Sequence, residues 1–128
     1  MPRRERGPEG EAPLTPAVFH ILLALADGER HGYAIMRAVI AETNGAVRLG
    51  PGTLYRSLRD MLAAELIAES DARPDPALDD ERRRYYRLTP HGVRALQAEG
   101  WRLARLVDRA QGKPLVGAAG VLPRPEGV

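Results

Sequence analysis

In Leu49-Gly50-Pro51-Gly52-Thr53-Leu54-Tyr55-Arg56-Ser57-Leu58, a turn that breaks helices is followed by an amphipathic run. Proline has no backbone N–H and glycine is conformationally permissive, so Gly-Pro-Gly predicts a turn outside the helix. The apolar residues after the turn recur at helical spacing and form one stripe, Leu54, Leu58, Met61 and Leu62. The opposite side carries Thr53, Arg56, Arg59 and Asp60, with Tyr55 on the flank.

A short helix of this kind fits the major groove of DNA. Its apolar face would anchor it to a domain, while arginine, threonine and tyrosine on the other face would meet base edges and phosphates. An ordinary amphipathic surface helix shows the same pattern, so the stretch alone leaves both interpretations open. The flanking elements are needed to decide between them.

Length and composition allow one compact domain with tails. The chain has 128 residues, of which 44% are hydrophobic and 5% aromatic, so we expect a core of Leu, Ile, Val and Ala. The absence of cysteine excludes a disulfide framework and a thiolate metal site, and it fits a cytoplasmic protein. No apolar run approaches the roughly 20 residues that cross a bilayer, and the N-terminus does not resemble a signal peptide, so no membrane partner is expected.

The periodic part of the sequence lies between two irregular ends. Residues 1–13 and 112–128 mix proline, glycine and charged residues without a period, which predicts a disordered N-terminal arm and a disordered tail. Residues 14–89 are predicted to form a DNA-binding domain of three helices and a hairpin. Residues 90–111 are predicted to form a C-terminal dimerisation helix.

Caps and alternation mark the elements within that region. Thr15-Pro16 and Thr89-Pro90 combine an N-cap residue with proline at the first helical position. Residues 66–71 and 83–88 alternate in the manner of two paired strands. Three helices followed by a two-stranded β-wing make a winged helix-turn-helix, a mainly α (α+β) fold, in which the wing lies beside the groove along the DNA backbone.

The second strand of the predicted wing is rich in arginine. Arginine suits phosphate because its planar donors can bind two oxygens at once. A solvated edge strand protected by charge would have the same composition, and that alternative stays open for the hairpin taken alone. The six residues of this cluster, which contain no acid, are Arg82, Arg83, Arg84, Tyr85, Tyr86 and Arg87.

Four blocks of sequence, in this order, resemble the PadR-like transcriptional regulators. They are His31-Gly32-Tyr33, Pro51-Gly52-Thr53-Leu54-Tyr55, Leu66-Ile67, and Arg84-Tyr85-Tyr86-Arg87-Leu88-Thr89 followed by Gly92. Together they cover most of the chain, from about residue 15 to residue 110. The resemblance implies a homodimeric winged-helix protein that binds double-stranded DNA, usually a repressor, with a C-terminal helix that dimerises.

The resemblance also implies which side chains approach DNA. By resemblance these are Tyr33, Thr53, Tyr55 and Arg56, with Arg84 serving the wing. Arg59 on the third helix and Arg83 in the arginine cluster complete the predicted DNA-binding residues. Tyr85 and Tyr86 are expected to divide between packing and phosphate contact, and the sequence leaves open which of them points inward.

Two features depart from the family's pattern. Glu65 stands where the family usually has glycine, between the third helix and the wing, so the residue that most easily reaches a positive φ is missing. The wing loop is long and acidic, so we expect only the arginine-rich strand, and not the tip, to approach DNA. The acids of this loop are Asp71, Asp75, Asp79, Asp80 and Glu81.

The last helix carries a stripe typical of self-association. Its dimerisation positions alternate in steps of three and four, the spacing of a coiled-coil seam. They are Val93, Leu96, Gly100, Leu103 and Val107. Packing of the same stripe on the helix's own domain is the alternative.

Trp101, the only tryptophan, lies beside that seam and is a candidate site for a small aromatic effector. Some relatives bind flat aromatic or cationic drugs between their two subunits, and a tryptophan face can stack on a planar ligand. A purely packed tryptophan is the competing interpretation.

No pattern indicates an enzyme, a metal site or a cofactor. His20, His31 and His91 lie on separate elements without ligand spacing, and His31 fits a helix start or a packing position better than a ligand or a base. There is no phosphate-binding glycine loop and no thiol nucleophile. The patterns and the resemblance together predict a sequence-specific DNA-binding regulator that acts as a homodimer on a pseudo-palindromic operator. That it is a repressor is implied by the resemblance alone. A winged-helix protein-interaction module is the alternative, and RNA binding is disfavoured because A-form RNA hides its major groove.

Overall fold

The computed structural model describes residues 13–70 and 84–114; Arg83, the acidic wing loop and most of both predicted tails lie outside the described residues. Within these ranges the mainly helical winged helix-turn-helix with a C-terminal helix is confirmed. The elements, in chain order, are α1 (Pro16–Ala26), β1 (Arg30–His31), α2 (Gly32–Glu42), α3 (Pro51–Ala63), β2 (Ile67–Ser70), β3 (Tyr85–Leu88) and α4 (Pro90–Gln111).

Three of the helices begin at side chains that cap their first turn. The hydroxyls of Thr15 and Thr89 each accept a hydrogen bond from the backbone N–H three residues on, at 3.2 and 2.9 Å. At the start of α2 the same role falls to His31, whose Nδ1 accepts from the Ala34 N–H at 3.1 Å. The expectation that His31 marks a helix start is therefore confirmed, and each cap satisfies a donor that the helix leaves unpaired.

The start of α3 corrects one expectation. The sequence placed the Gly-Pro-Gly turn before the helix, but Pro51 and Gly52 form its first turn and Gly50 is its N-cap. Proline is compatible with this position, because the N–H that it lacks would have no acceptor within the helix. The helix α3 therefore begins directly at Pro51, and Thr53 lies in its first turn.

The wing has a third strand that the sequence did not reveal. The sheet order is β1-β3-β2, and β1 pairs antiparallel with β3, so that Arg30 lies opposite Tyr86 and His31 opposite Tyr85. A strand of two residues is too short to show alternation, and only the approach of β3 creates it. This pairing fixes the wing against the start of α2.

The core is built from the inner faces of α1, α2 and α3 and one side of the sheet. The stripe predicted for α3 is buried as expected at Leu54, Leu58 and Met61. From the sheet, Tyr86 points inward, whereas the half-buried Tyr85 meets the His31 ring edge-on at 5.3 Å. The fully enclosed cluster comprises Ile21, Leu22, Ala24, Leu25, Ile35, Val39, Leu54, Leu58, Met61, Ile67 and Tyr86.

The end of α3 adopts the left-handed turn that the family's glycine would favour. Glu65 has φ of +60°. Its N–H bonds to the Leu62 carbonyl at 3.0 Å, and the Leu66 N–H bonds to the Met61 carbonyl at 2.9 Å. This is a Schellman cap, which usually places glycine at the left-handed position. The chain therefore keeps the turn geometry while using a residue that is strained there.

Candidate nucleic-acid interface

The outer face of α3 is exposed and carries the side chains that the sequence assigned to DNA. Thr53, Arg56 and Arg59 are exposed, while the buried stripe on the opposite side anchors the helix to the core. A surface helix held in this way can enter a groove without losing its packing. Within residues 13–70, α3 is the helix that combines a buried apolar face with two exposed arginines, Arg56 and Arg59.

Tyr55 joins α3 to the start of α2. Its ring lies over Gly32 so closely that a β-carbon at Gly32 would be 2.7 Å from the Tyr55 hydroxyl oxygen. Tyr55 is half-buried and also packs against the core. The glycine of the His-Gly-Tyr block thus makes room for a residue of the third helix. Tyr55 therefore sets the distance between α2 and α3, in addition to any contact it makes with DNA.

Tyr33 lies beside this junction and is well exposed, with 52% of its surface accessible. Its ring stacks on the His31 ring, with centroids 6.4 Å apart and planes 18° apart. From one turn further along α2, the Arg37 guanidinium lies 5.8 Å from the centre of the Tyr33 ring. Sequence reasoning missed Arg37, although its spacing of four from Tyr33 was a usable signal.

On the wing, Arg84 is paired with an acid. Its Nη1 lies 3.1 and 3.3 Å from the two carboxylate oxygens of Glu69 on β2. Both side chains remain 43% exposed. Glu69 was not singled out from the sequence, because the pairing of β2 with β3 brings together residues that are fifteen positions apart.

A groove of about 380 Å³ separates α3 from the wing. It places Arg59 of the helix and Arg84 of the wing around one opening, with Tyr55 in the same wall. Its lining residues are Tyr55, Leu58, Arg59, Leu62, Glu69, Arg84 and Tyr86. Arg59, Tyr55 and Arg84, which the sequence assigned to DNA on separate elements, therefore share one surface. Arg83, the remaining predicted contact, lies outside the described residues.

The C-terminal helix exposes much of its predicted seam. Val93 and Val107 are exposed, the latter with 56% of its surface accessible, while Gly100 and Leu103 are partly covered. Leu96 packs against the core of its own domain. This is what the alternative interpretation expected of all five positions. Leu96 thus fits the packing alternative, while dimerisation through the other four positions stays a prediction.

Trp101 is half exposed, at 50%, and borders a small groove of about 190 Å³ on α4. The groove is cationic apart from Trp101 and Leu106, since its other lining residues are arginines. They are Arg102, Arg105 and Arg109. Leu106, which is also exposed, was not among the predicted seam residues.

Glu99 ties α4 to the start of the domain. It is only 5% exposed, and Arg102 binds both of its oxygens, with Nη2 to Oε2 at 2.6 Å and Nε to Oε1 at 3.1 Å. The Leu14 N–H also donates to Oε1, at 3.2 Å. Hydrogen bonding from Arg102, reinforced by that from Leu14, holds the pKa of the Glu99 carboxyl below its ordinary value, although burial opposes the shift.

Other classes of site are not found in the part of the chain that the structure describes. Residues 13–70 and 84–114 contain no group of three or more acids and histidines placed to hold a metal ion. None of the helices in those ranges is long and apolar enough to cross a bilayer.

The helix-turn-helix with an exposed basic face and a paired wing defines a winged-helix protein of the transcription-regulator class. Residues 21–98 match the transcriptional regulator PadR-like family. Because this match covers more than half of the chain, the protein belongs to that family, whose members are DNA-binding transcriptional regulators and not enzymes.

Individual proteins are similar to this chain in sequence or in fold. An uncharacterised 37.1 kDa protein in transposon Tn4556 of Streptomyces fradiae is 42% identical over 89 residues; the match covers 70% of this chain but only 23% of that protein. A transcriptional regulator from Clostridium thermocellum is 25% identical, with a TM-score of 0.57 over 76% of this chain and 90% of its own. BpsR of Bordetella bronchiseptica, whose DNA binding is regulated by 6-hydroxynicotinic acid, is 25% identical, with a TM-score of 0.58 over 84% of this chain and 66% of its own.

Proposed function

We propose that this protein is a repressor that binds a pseudo-palindromic operator as a homodimer in the cytoplasm. The observation that carries the proposal is the groove between α3 and the wing, around which Arg59 and Arg84 gather beside the exposed face of α3. Two elements that differ in sequence position thus offer cations to one ligand. A phosphate backbone with an adjacent groove has the matching shape and charge.

The side chains divide into two roles. We assign base edges to Thr53 and Arg56, which are exposed at the start of α3, because arginine discriminates guanine by binding its O6 and N7 together. We assign phosphates, which fix position and carry no sequence information, to Arg59, Arg84 and the Tyr33–Arg37 pair. A cation–π contact with the Tyr33 ring favours this position of the Arg37 guanidinium.

Dimerisation through α4 is supported by the apolar side chains that this helix leaves exposed. They are Val93, Trp101, Leu106 and Val107. Burial of such a surface across a two-fold axis would contribute about 25 cal/mol for each Å² of apolar area removed from water. A two-fold dimer would present two copies of α3, so the half-sites are expected about one helical turn apart, roughly 34 Å.

We propose that the effector is a small aromatic molecule stacked on Trp101. Of the arginines that line the groove beside Trp101, Arg102 is already paired with Glu99, and Arg105 and Arg109 favour an aromatic molecule that carries a negative charge. BpsR, a structural relative, is regulated by an aromatic acid. A ligand on α4 would alter the spacing of the two recognition helices and so couple to DNA binding.

The proposal is tested by selecting DNA fragments that the purified protein retains and titrating the enriched duplex against a scrambled duplex by fluorescence anisotropy at several salt concentrations. We expect preference for the enriched duplex at near-physiological salt, a steep salt dependence and a stoichiometry of two chains per site. Absence of any sequence preference would overturn the proposal and favour the protein-interaction module. A reporter gene placed behind the selected site then tests whether binding represses transcription.

A further inference from the structure

The pairing of β2 with β3 places one acid in the middle of the candidate phosphate-binding surface. Glu69 lies opposite Tyr86 in the register, and Arg84 is two residues from Tyr86, so the three side chains share one face of the sheet. Tyr86 is buried, and beyond it Glu69 and Arg84 meet at the rim of the groove that Arg59 and Tyr55 line. The ion pair therefore faces the recognition helix.

The Glu69 carboxylate occupies Arg84 in the manner of a phosphate. Both of its oxygens lie within 3.3 Å of one nitrogen, Arg84 Nη1, and the same donor could bond a phosphate oxygen instead. Because both side chains are 43% exposed, water and salt screen the pair, and a polyanion can displace the carboxylate.

We propose that Glu69 is an intramolecular competitor for the DNA phosphate that Arg84 binds, and that it lowers the affinity of the protein for every duplex. This inference rests on the proposed DNA-binding function and adds to it a residue that limits affinity. When DNA binds, Arg84 exchanges the Glu69 carboxylate for a phosphate. The free energy of the new contact is therefore reduced by that of the ion pair which is lost. The effect is the same for all sequences, because phosphates carry no base information.

The salt dependence of binding distinguishes two cases: Glu69 competes with a phosphate for Arg84, or Glu69 keeps Arg84 off the DNA in the complex as well. Counterions condense on the DNA and not on a single carboxylate, so the slope of log affinity against log salt counts phosphates contacted. If Arg84 reaches a phosphate in the complex, removing Glu69 raises affinity without changing that slope. If Glu69 instead keeps Arg84 off the DNA, its removal adds a contact and steepens the slope by about one.

The test compares the full-length protein with Glu69→Gln, Arg84→Ala and the double variant, on the selected duplex and on a scrambled one. We expect Glu69→Gln to tighten both complexes about two- to fivefold, the range of an exposed ion pair, with an unchanged slope. In the Arg84→Ala background the same change should have no effect, because Glu69 then has no arginine to pair with. Glu42→Gln, which removes an equal charge from the exposed end of α2, is the matched control and should leave affinity unchanged.

Three results would overturn the inference. They are unchanged affinity in Glu69→Gln, a slope that steepens by about one, and equal tightening with and without Arg84. Urea unfolding of each variant checks that the wing is intact, and Glu69→Ala should repeat the result if glutamine itself makes a new contact. Failure of the proposed function is distinguishable, because it would appear in the wild-type protein as absence of any preference for the selected duplex over the scrambled one, whatever the effect of Glu69→Gln.

Discussion

The first turn of α4 lies against the backbone that follows α3: a β-carbon added to Gly92 would overlap the carbonyl oxygen of Leu66. That oxygen is already engaged, because it accepts hydrogen bonds from the Thr89 N–H at 3.1 Å and from the Thr89 hydroxyl at 3.0 Å. The contact joins α4 to the segment between α3 and β2. Glycine is needed here for close approach and not for an unusual φ.

Gly92→Ala is expected to destabilise the protein by about 1–3 kcal/mol, because the backbone must move away from Leu66 and weaken the Thr89 cap. Urea unfolding followed by circular dichroism measures the change. Gly52→Ala is the matched control, since Gly52 also lies in the first turn of a helix but has no atom within 4 Å of an added β-carbon. A Gly92→Ala protein as stable as the Gly52→Ala protein would contradict this account of the contact.

Glu65→Gly is expected to stabilise the protein by up to about 1 kcal/mol. The left-handed conformation that Glu65 adopts is sterically unfavourable for a residue with a β-carbon, and glycine removes this strain. The stabilisation is reduced because glycine loses more conformational entropy on folding. The shift in the thermal midpoint measures it. Glu65→Ala removes the same side chain but keeps the β-carbon, so it should show no such gain; an equal gain would assign the effect to the carboxylate instead.

The Glu99 carboxylate is expected to make stability depend on acid pH. Its pKa is lowered in the folded chain, mainly by Arg102, so its contribution is complete above the pKa of the unfolded chain, about 4.3, and is lost as pH falls through the lower folded value. Glu99→Gln should be less stable at pH 7, by about 1–3 kcal/mol, because a buried charged partner of Arg102 is lost, and it should lose less stability on acidification. Urea titrations at several pH values test this. Glu42→Gln, an exposed glutamate, should follow the wild-type curve.

Arg56 and Arg84 are expected to contribute to DNA binding in different ways. Arg84→Ala should weaken selected and random duplexes alike and flatten the salt slope by about one. Arg56→Ala should cost about 1–3 kcal/mol on the selected duplex and relax the preference at one base position. Anisotropy titrations on both duplexes separate the two. Identical behaviour of the variants on both would show that this division of roles is wrong.

Trp101 fluorescence is expected to report effector binding, because the chain has no other tryptophan. A small aromatic acid that lowers operator affinity should quench this emission, and Trp101→Ala should lose the response while still dimerising. Arg105→Gln, next to Trp101 in the same groove, should weaken the response to anions selectively. An effector that releases DNA equally from Trp101→Ala would leave α4 a structural role only.

The parts of the structure that could be predicted were those set by neighbouring residues. The caps at Thr15 and Thr89, the buried stripe of α3 and the extent of α4 follow from spacing within a few turns of chain. The exposed residues of α3 were predictable for the same reason. The role of Gly32 was not, because its significance lies in Tyr55, which is distant in sequence and close in space.

The sequence by itself determined the order and kind of the main elements, the family and the outward face of the recognition helix, because periodicity, capping and motif order are local properties. Tertiary structure alone decided that β1 joins the sheet, that Tyr86 and not Tyr85 points inward, and that Glu69 lies on Arg84. It also decided that Glu99 holds the N–H of Leu14, 85 residues away. Each of these depends on strand register or on contacts between distant segments, and a one-residue change of register would have reversed the faces without altering the pattern.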